Sequence, residues 1–352
     1  MASPCSSKIL YATTHGLNML NARTCQTKPF IDLRQGPYGI AWDTRITALD
    51  VRNDIVMAGT FHGGYIIKPL YSSFNKEYTE GEIIPGQQAI TNNIQLFNPR
   101  RSSSPAAAIC SNNDSFRVID LTTQKFIQER YLKNSINCTR ISPDLRLRAM
   151  VGDSQNALIT DADTGQTLIE LSGHRDNGFS CDWSGCGRYL ATGFQDKSIK
   201  IWDCRKWTSN NGEGAPITSL RCEMAGARNL RFSPLGSGPP VLVAAEEADF
   251  ISIINAQTFD SKQQFDIFGE ISGIDFSDEG RELNILCSDP HRGGILNFRR
   301  CEFGALARSP TLPQWDVRDR AWVEYNRPCV RMDWARRKTG KQACAASLPT
   351  PF

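Results

Sequence analysis

The 352-residue chain is poor in the features that announce an enzyme or a metal centre. It has four histidines and, despite twelve cysteines, no C-x-x-C pair, so the ligand spacing of a zinc site is missing. A Walker loop, a G-x-S-x-G elbow and an H-E-x-x-H helix are all missing, which removes the common marks of nucleotide hydrolysis, acyl transfer and metalloproteolysis. A net charge of +3 exerts no strong pull toward nucleic acid or membrane. No apolar run approaches the roughly eighteen residues that span a bilayer, and the start of the chain lacks the apolar core of a signal peptide. These absences lead us to expect a soluble intracellular protein, cytoplasmic or nuclear, without metal or cofactor.

What is present is a repeat. Leu190-Ala-Thr-Gly193 reads as a short strand of small residues, Gln195-Asp-Lys197 as a polar turn, and Ser198 to Trp202 alternates with Ile199 and Ile201 on one face. Gly173-His174 precedes this hairpin, and Asp203-Cys-Arg205 follows it. The Gly-His and Trp-Asp pairs match one blade of a WD-repeat β-propeller. An inner strand ending in a large apolar residue then recurs, at Val51, Phe97, Ile141, Trp183, Phe232, Phe276 and Trp334. The steps are 46, 44, 42, 49, 44 and 58 residues, mostly the length of a four-stranded blade. We therefore expect an all-β fold, a seven-bladed β-propeller in one domain over residues 1–352. Stacked blades also explain how a chain longer than one core supports can bury its apolar faces.

The ends of the chain carry a further expectation. Ile9 to Asn21 reads as a hairpin without an inner strand ahead of it, while Val330 to Trp334 reads as an inner strand without a blade behind it. Pairing of the N- and C-terminal strands would close the ring and remove its exposed edges; Gln342 to Ser347 could instead supply a competing strand.

Three departures from regular blade length are candidate loops. Lys206 to Ala215 is a turn-rich excursion, and Arg100 to Pro105 is an exposed connection. Residues 308–328 read as an inserted loop carrying Trp315, Arg318, Arg320, Trp322 and Tyr325. Its aromatics and arginines have the composition of an interface hot spot, or else they pack on the propeller rim.

His174, Thr192, Asp196 and Trp202 invite a catalytic reading, since His, Asp and a hydroxyl are the parts of an activated nucleophile. In WD repeats these types at these places form a structural relay from loop to indole, and only this repeat carries all four. Ile119, Thr160, Ile254 and Leu20 stand at the Trp place elsewhere. Six cysteines, Cys110, Cys138, Cys181, Cys222, Cys287 and Cys329, fall in or beside expected strands, where a thiol behaves as a small hydrophobe. Cys181 and Cys186, closest in sequence, are expected to remain reduced.

Residues Gly173 to Glu302 resemble an uncharacterised WD-repeat family of plants and fungi. The matching pieces are Gly173 to Trp183, Ala191 to Asp196, Ala245-Glu-Glu-Ala-Asp-Phe250 and Phe268-Gly-Glu-Ile-Ser-Gly273. That resemblance implies a fold but no activity. Ile199-Lys-Ile-Trp-Asp-Cys-Arg205 is similar to the box of cullin-4 ubiquitin-ligase substrate receptors. There Trp202 and Asp203 would support the blade while Arg205 docks to the ligase adaptor, an arginine fork meeting acidic or carbonyl groups. Trp42-Asp-Thr-Arg45 and Trp315-Asp-Val-Arg318 share the four-letter pattern without the preceding strand. Phe298-Arg-Arg-Cys301 resembles the Phe-Arg-Arg-Gly loop of phosphoinositide-binding propellers, where Arg299 and Arg300 would meet lipid phosphates; Cys301 replaces the glycine. The expected function is a non-enzymatic scaffold for protein partners, with a cullin-4 substrate receptor as its sharper form. The alternatives are a general assembly scaffold and a phosphoinositide reader. Nucleic acid is not expected as a partner.

Overall fold

Strands whose two faces are both covered read as near-continuous apolar runs rather than as simple alternation. Ala106–Ser111 and Val241–Glu246 meet that condition, since every residue in both strands is buried. In the computed structural model each is the second strand of an antiparallel four-stranded blade pressed between two neighbours. The structure describes residues 1–5, 7–13, 16–33, 45–72, 78–83, 89–289 and 293–300, with the backbone of 315–321 and 331–332. Among these residues there is no α-helix, and one 3-10 turn covers Asp278–Gly280.

Seven blades follow in chain order, with inner strands Ala2–Cys5, Ile46–Arg52, Thr91–Phe97, Ile136–Ile141, Gly178–Trp183 and Ala227–Phe232 for blades 1 to 6. The seventh inner strand is the second half of Lys262–Ser277, whose first half is the outer strand of blade 6. The chain passes between the two at Gly269, where φ is +142° and a side chain would strike Cys287 Sγ and Asp289 Cβ. Only glycine takes that turn without strain.

The cores lie between blades. Seven apolar clusters match seven seams, from Leu10, Ile31, Val56 and Ile66 between blades 1 and 2 to Ile9, Tyr11, Leu20 and Ile295 between blades 1 and 7. A cluster at the last seam means that the stack is a ring. Polar bonds reinforce the inner wall. Asp50 accepts the Leu96 N–H at 2.7 Å, Gln95 that of Ile141 at 2.8 Å, and Asp182 that of Phe232 at 2.7 Å. Asp275 of blade 7 repeats the bond with the Ser3 N–H of blade 1 at 2.7 Å. Buried acceptors matched to buried donors in this way hold the spacing of the inner strands.

This closure corrects the expected pairing of the chain ends. Ala2–Cys5 is itself the inner strand of blade 1, bonded to Lys8–Thr13, so no vacancy awaits a C-terminal strand. Arg331–Met332 instead pairs with Trp315–Ala321 on the outside of blade 7. The count of seven holds, but it runs from Ala2–Cys5 to Ser277 rather than from Val51 to Trp334. Trp315–Ala321, placed within an inserted loop by the long step of 58 residues before Trp334, is instead the fourth strand of blade 7 and pairs with Gly294–Arg300. Trp334 and residues 342–347 lie outside the described residues.

If face-to-face packing closes the ring, trimming the last seam should be costly. Ile295→Ala is expected to lower stability by about 2–5 kcal/mol, the usual range for opening a buried aliphatic site. Urea denaturation reads the loss; an unchanged midpoint would show that blades 1 and 7 do not depend on each other.

Candidate functional site

Blade 5 brings its polar residues together in two places. At one end, inside the blade, the Trp202 indole N–H donates to Thr192 Oγ1 at 2.9 Å, and Thr192 Oγ1 lies 2.9 Å from His174 Nε2. His174 Nδ1 meets Asp196 Oδ2 at 3.1 Å, and the imidazole stacks on Phe194 at 3.6 Å between centroids. Ser198, absent from the expected set, completes the group by donating to Asp196 Oδ1 at 2.6 Å. Asp196 also accepts the Arg175 N–H at 2.9 Å, which ties the loop to the strands.

The chemistry of this relay is that of a staple. Thr192 is wholly buried, and its oxygen is occupied by an indole donor. Nothing can approach it as a nucleophile. Burial pulls His174 down to about 4, against the pull of Asp196, so the imidazole is neutral near pH 7. Asp196 is held below its ordinary value: burial opposes its charge, but the Ser198 hydroxyl and the Arg175 and Ser198 N–H groups outweigh it.

At the opposite end, Asp203 closes the turn after the third strand. It accepts the Arg205 N–H at 3.0 Å and holds the guanidinium in a fork, with Nε at 2.9 Å and Nη2 at 2.6 Å. The same fork, with Arg188 Nε at 3.3 Å, keeps the Asp203 carboxyl well below the usual carboxylate range. Equivalent acceptors cap the same turn in other blades, with Asn21, Asp120, Asp161 and Asn255 each accepting a backbone N–H two residues on. Among the described residues, only in blade 5 does the capping side chain also grip an arginine of its own turn. Arg205 remains 67% exposed.

The Lys206 to Ala215 excursion is folded. Thr208 bridges Gly214, Ala215 N–H donates to Trp207 O at 2.9 Å, and the Trp207 ring meets Trp183 edge-on at 5.9 Å. Gly214 is required, because a Cβ there would lie 2.5 Å from Ser172 O. Ala215, Pro216 and Ile217 form the apolar part of a concavity completed by Asp203, Arg205 and Lys206.

The remaining candidates are scattered. Arg299 is exposed, whereas Arg300 turns inward and donates to Ser237 O of blade 6. The two do not form a common basic face. Trp315, Arg318 and Arg320 lie on the strand Trp315–Ala321 of blade 7. Trp322 and Tyr325 lie outside the described residues. Cys110, Cys138, Cys181, Cys222 and Cys287 are buried thiols, and Cys186 is exposed; Cys329 lies outside the described residues.

One buried group escaped the sequence reading. Glu246 is 2% exposed and accepts the N–H groups of Glu223, Met224 and Ala225 at 2.7–2.8 Å. It does for blade 6 what the His174 relay does for blade 5. Asp249 then accepts the Gly269 N–H at 2.7 Å. The two motifs at 245–250 and 268–273 thus meet across one strand pair. A carboxylate at the end of an otherwise apolar strand was the available signal.

With this geometry in place, residues 165–203 match the family model for the WD domain, G-beta repeat. The whole structure is similar to the WD40 β-propeller domain of Doa1, with a TM-score of 0.65 at 12% identity, covering 82% of this chain and 88% of that one. It is also similar to a chain in the crystal structure of the mitotic checkpoint complex, with a TM-score of 0.60 at 14% identity over 73% of this chain and 74% of that one. The fold is that of a WD40 β-propeller, and residues 165–203 carry a WD repeat. Among curated relatives, histone acetyltransferase type B subunit 2 of Aspergillus oryzae is 28% identical over 91 residues, 26% of this chain and 21% of that protein. An uncharacterized protein of Schizosaccharomyces pombe is 24% identical over 216 residues, 55% of this chain and 59% of that protein. The matched part therefore covers less than two thirds of either relative.

The buried imidazole makes stability depend on pH in a defined direction. Its folded value near 4 lies below the unfolded value of about 6.5. The unfolded chain thus takes up a proton first, and stability falls as pH drops from about 6.5 toward 4, by at most about 1.4 kcal/mol per pH unit from this group. His174→Asn should flatten that part of the urea-midpoint profile relative to wild type. Asp196→Ala should cost about 1–3 kcal/mol at pH 7, because it orphans buried donors.

Proposed function

We propose that the protein is a non-enzymatic interaction scaffold that docks to a cullin-4 ligase adaptor through Arg205, acting as a substrate receptor. The observation that carries this reading is the fork between Asp203 and Arg205. A guanidinium has five N–H donors, and Asp203 engages Nε and one from Nη2. The opposite edge, formed by Nη1 and the second Nη2 proton, faces outward on a side chain that is two-thirds exposed. The carboxylate thereby fixes the plane of the fork before any partner arrives, which lowers the ordering cost of a paired contact. The concavity of Ala215, Pro216 and Ile217 beside it offers apolar area to the same partner. The likeness to a chain of a multi-protein assembly supports the broader scaffold role. Arg300, engaged with Ser237, gives the phosphoinositide reading no support.

Docking and folding separate at Arg205. Arg205→Ala should leave the melting temperature nearly unchanged, within about 0.5 kcal/mol, since Asp203 keeps Arg188 and the backbone N–H. It should remove adaptor binding, because losing a central interface arginine costs about 2 kcal/mol or more. Arg205→Lys should restore little if the contact is paired, and Arg45→Ala and Arg318→Ala should bind as wild type. Co-precipitation with the adaptor in which every variant behaves alike would leave the plain scaffold standing.

A further inference from the structure

Blades 3, 4 and 5 share a composition at one end of the ring. In an antiparallel blade the turn joining the first two strands and the turn joining the last two lie at the same end. There, Arg101 of blade 3 is 78% exposed, Arg146 of blade 4 is 71% exposed and Arg205 of blade 5 is 67% exposed. Their aspartates mostly lie beneath them. Asp163, 15% exposed, serves both Arg100 and Arg101, and Asp203, 11% exposed, serves both Arg188 and Arg205. Asp144, 60% exposed, is the exception. Asp120 and Asp161 direct their carboxylates at turn N–H groups. Positive and negative charge nearly balance, but they are layered: an approaching surface meets guanidinium donors first.

One outer-strand position is apolar and exposed in the same three blades. Gln128 pairs with Val118, Ile169 with Ile159 and Thr218 with Ile201, which makes these three outer-strand residues equivalent. The residue just before each is Ile127, Leu168 and Ile217, exposed by 57, 51 and 50%. In blade 6 the corresponding outer strand opens with Lys262, paired to Ile254. One exposed aliphatic needs no explanation. The same position filled this way in three successive blades, each with an exposed arginine in a turn at one end of the ring, does.

We infer that the arginine layer of blades 3 to 5 and the aliphatics Ile127, Leu168 and Ile217 form one docking surface. Its occupant is a partner protein whose face sets carboxylates beside apolar side chains. Carboxylates pair with guanidinium forks, and the aliphatics supply the area that excludes water around them. This extends the Arg205 contact from one blade to three and rests on that reading for its first probe.

The test uses the full chain and two probes, the purified cullin-4 ligase adaptor and a synthetic peptide of alternating glutamate and leucine. Two variants outside blade 5 carry it: the pair Arg101→Glu with Arg146→Glu, and Leu168→Asp, each checked for a wild-type melting curve. Both should weaken adaptor binding about tenfold, a difference of about 1.4 kcal/mol, and wild-type affinity should fall as salt is raised. Adaptor binding that is lost in Arg205→Ala but unchanged in these variants overturns the three-blade surface and leaves the Arg205 contact intact. If wild type does not bind the adaptor, the ligase reading fails and the peptide decides. Peptide binding weakened tenfold by either variant supports the surface; no peptide binding, or binding indifferent to both, overturns it.

Discussion

Everything in this molecule depends on apolar blade faces meeting across seams. No blade could bury its own surfaces, since a four-stranded sheet has two faces and no interior. The all-buried strands Ala106–Ser111 and Val241–Glu246 are stable only because a neighbour covers each side. The carboxylates of Asp50, Asp182 and Asp275 add direction to that packing, each fixing the next inner strand by one backbone N–H. The seam between blades 7 and 1 uses the same two devices as the others, so the ring closes without exchanging a strand between the chain ends.

How much of this could be read from residues differed from blade to blade. Blade 5 was legible because it combines alternation, turn residues and the four relay side chains, whose types are dictated by the donors and acceptors they must satisfy. The inner strand of blade 1 was not. Ala2–Cys5 is four residues long and contains Pro4, so it lacks the alternation by which a strand is recognised. Trp315–Ala321 failed for a related reason: an outer strand borders solvent, and charge is compatible with its place. Phe126–Tyr131, with five of six residues exposed, shows how little patterning such a strand needs.

The same contrast holds at the sites. The relay members His174, Thr192, Asp196 and Trp202 were visible because side chain recognises side chain. Glu246 was harder to see: its partners are three backbone N–H groups, which leave no mark in a sequence, so its one signal was a carboxylate ending an apolar strand. The grip of Asp203 on Arg205 was also hidden, since it needs the turn conformation as well as the identity of the two residues. Its effect is to convert a long, rotatable side chain into a directed group, which is the condition for selective contact rather than mere attraction.

The uninterrupted strand Lys262–Ser277 has a mechanical consequence. Blades 3 to 4, 4 to 5 and 5 to 6 are joined by segments outside any strand, whereas blades 6 and 7 share a single hydrogen-bonded element that crosses from one to the other at Gly269. Rotation of blade 7 must therefore twist blade 6, and the backbone bonds on both sides of Gly269 strain together. The two blades act as one stiff sector of the ring.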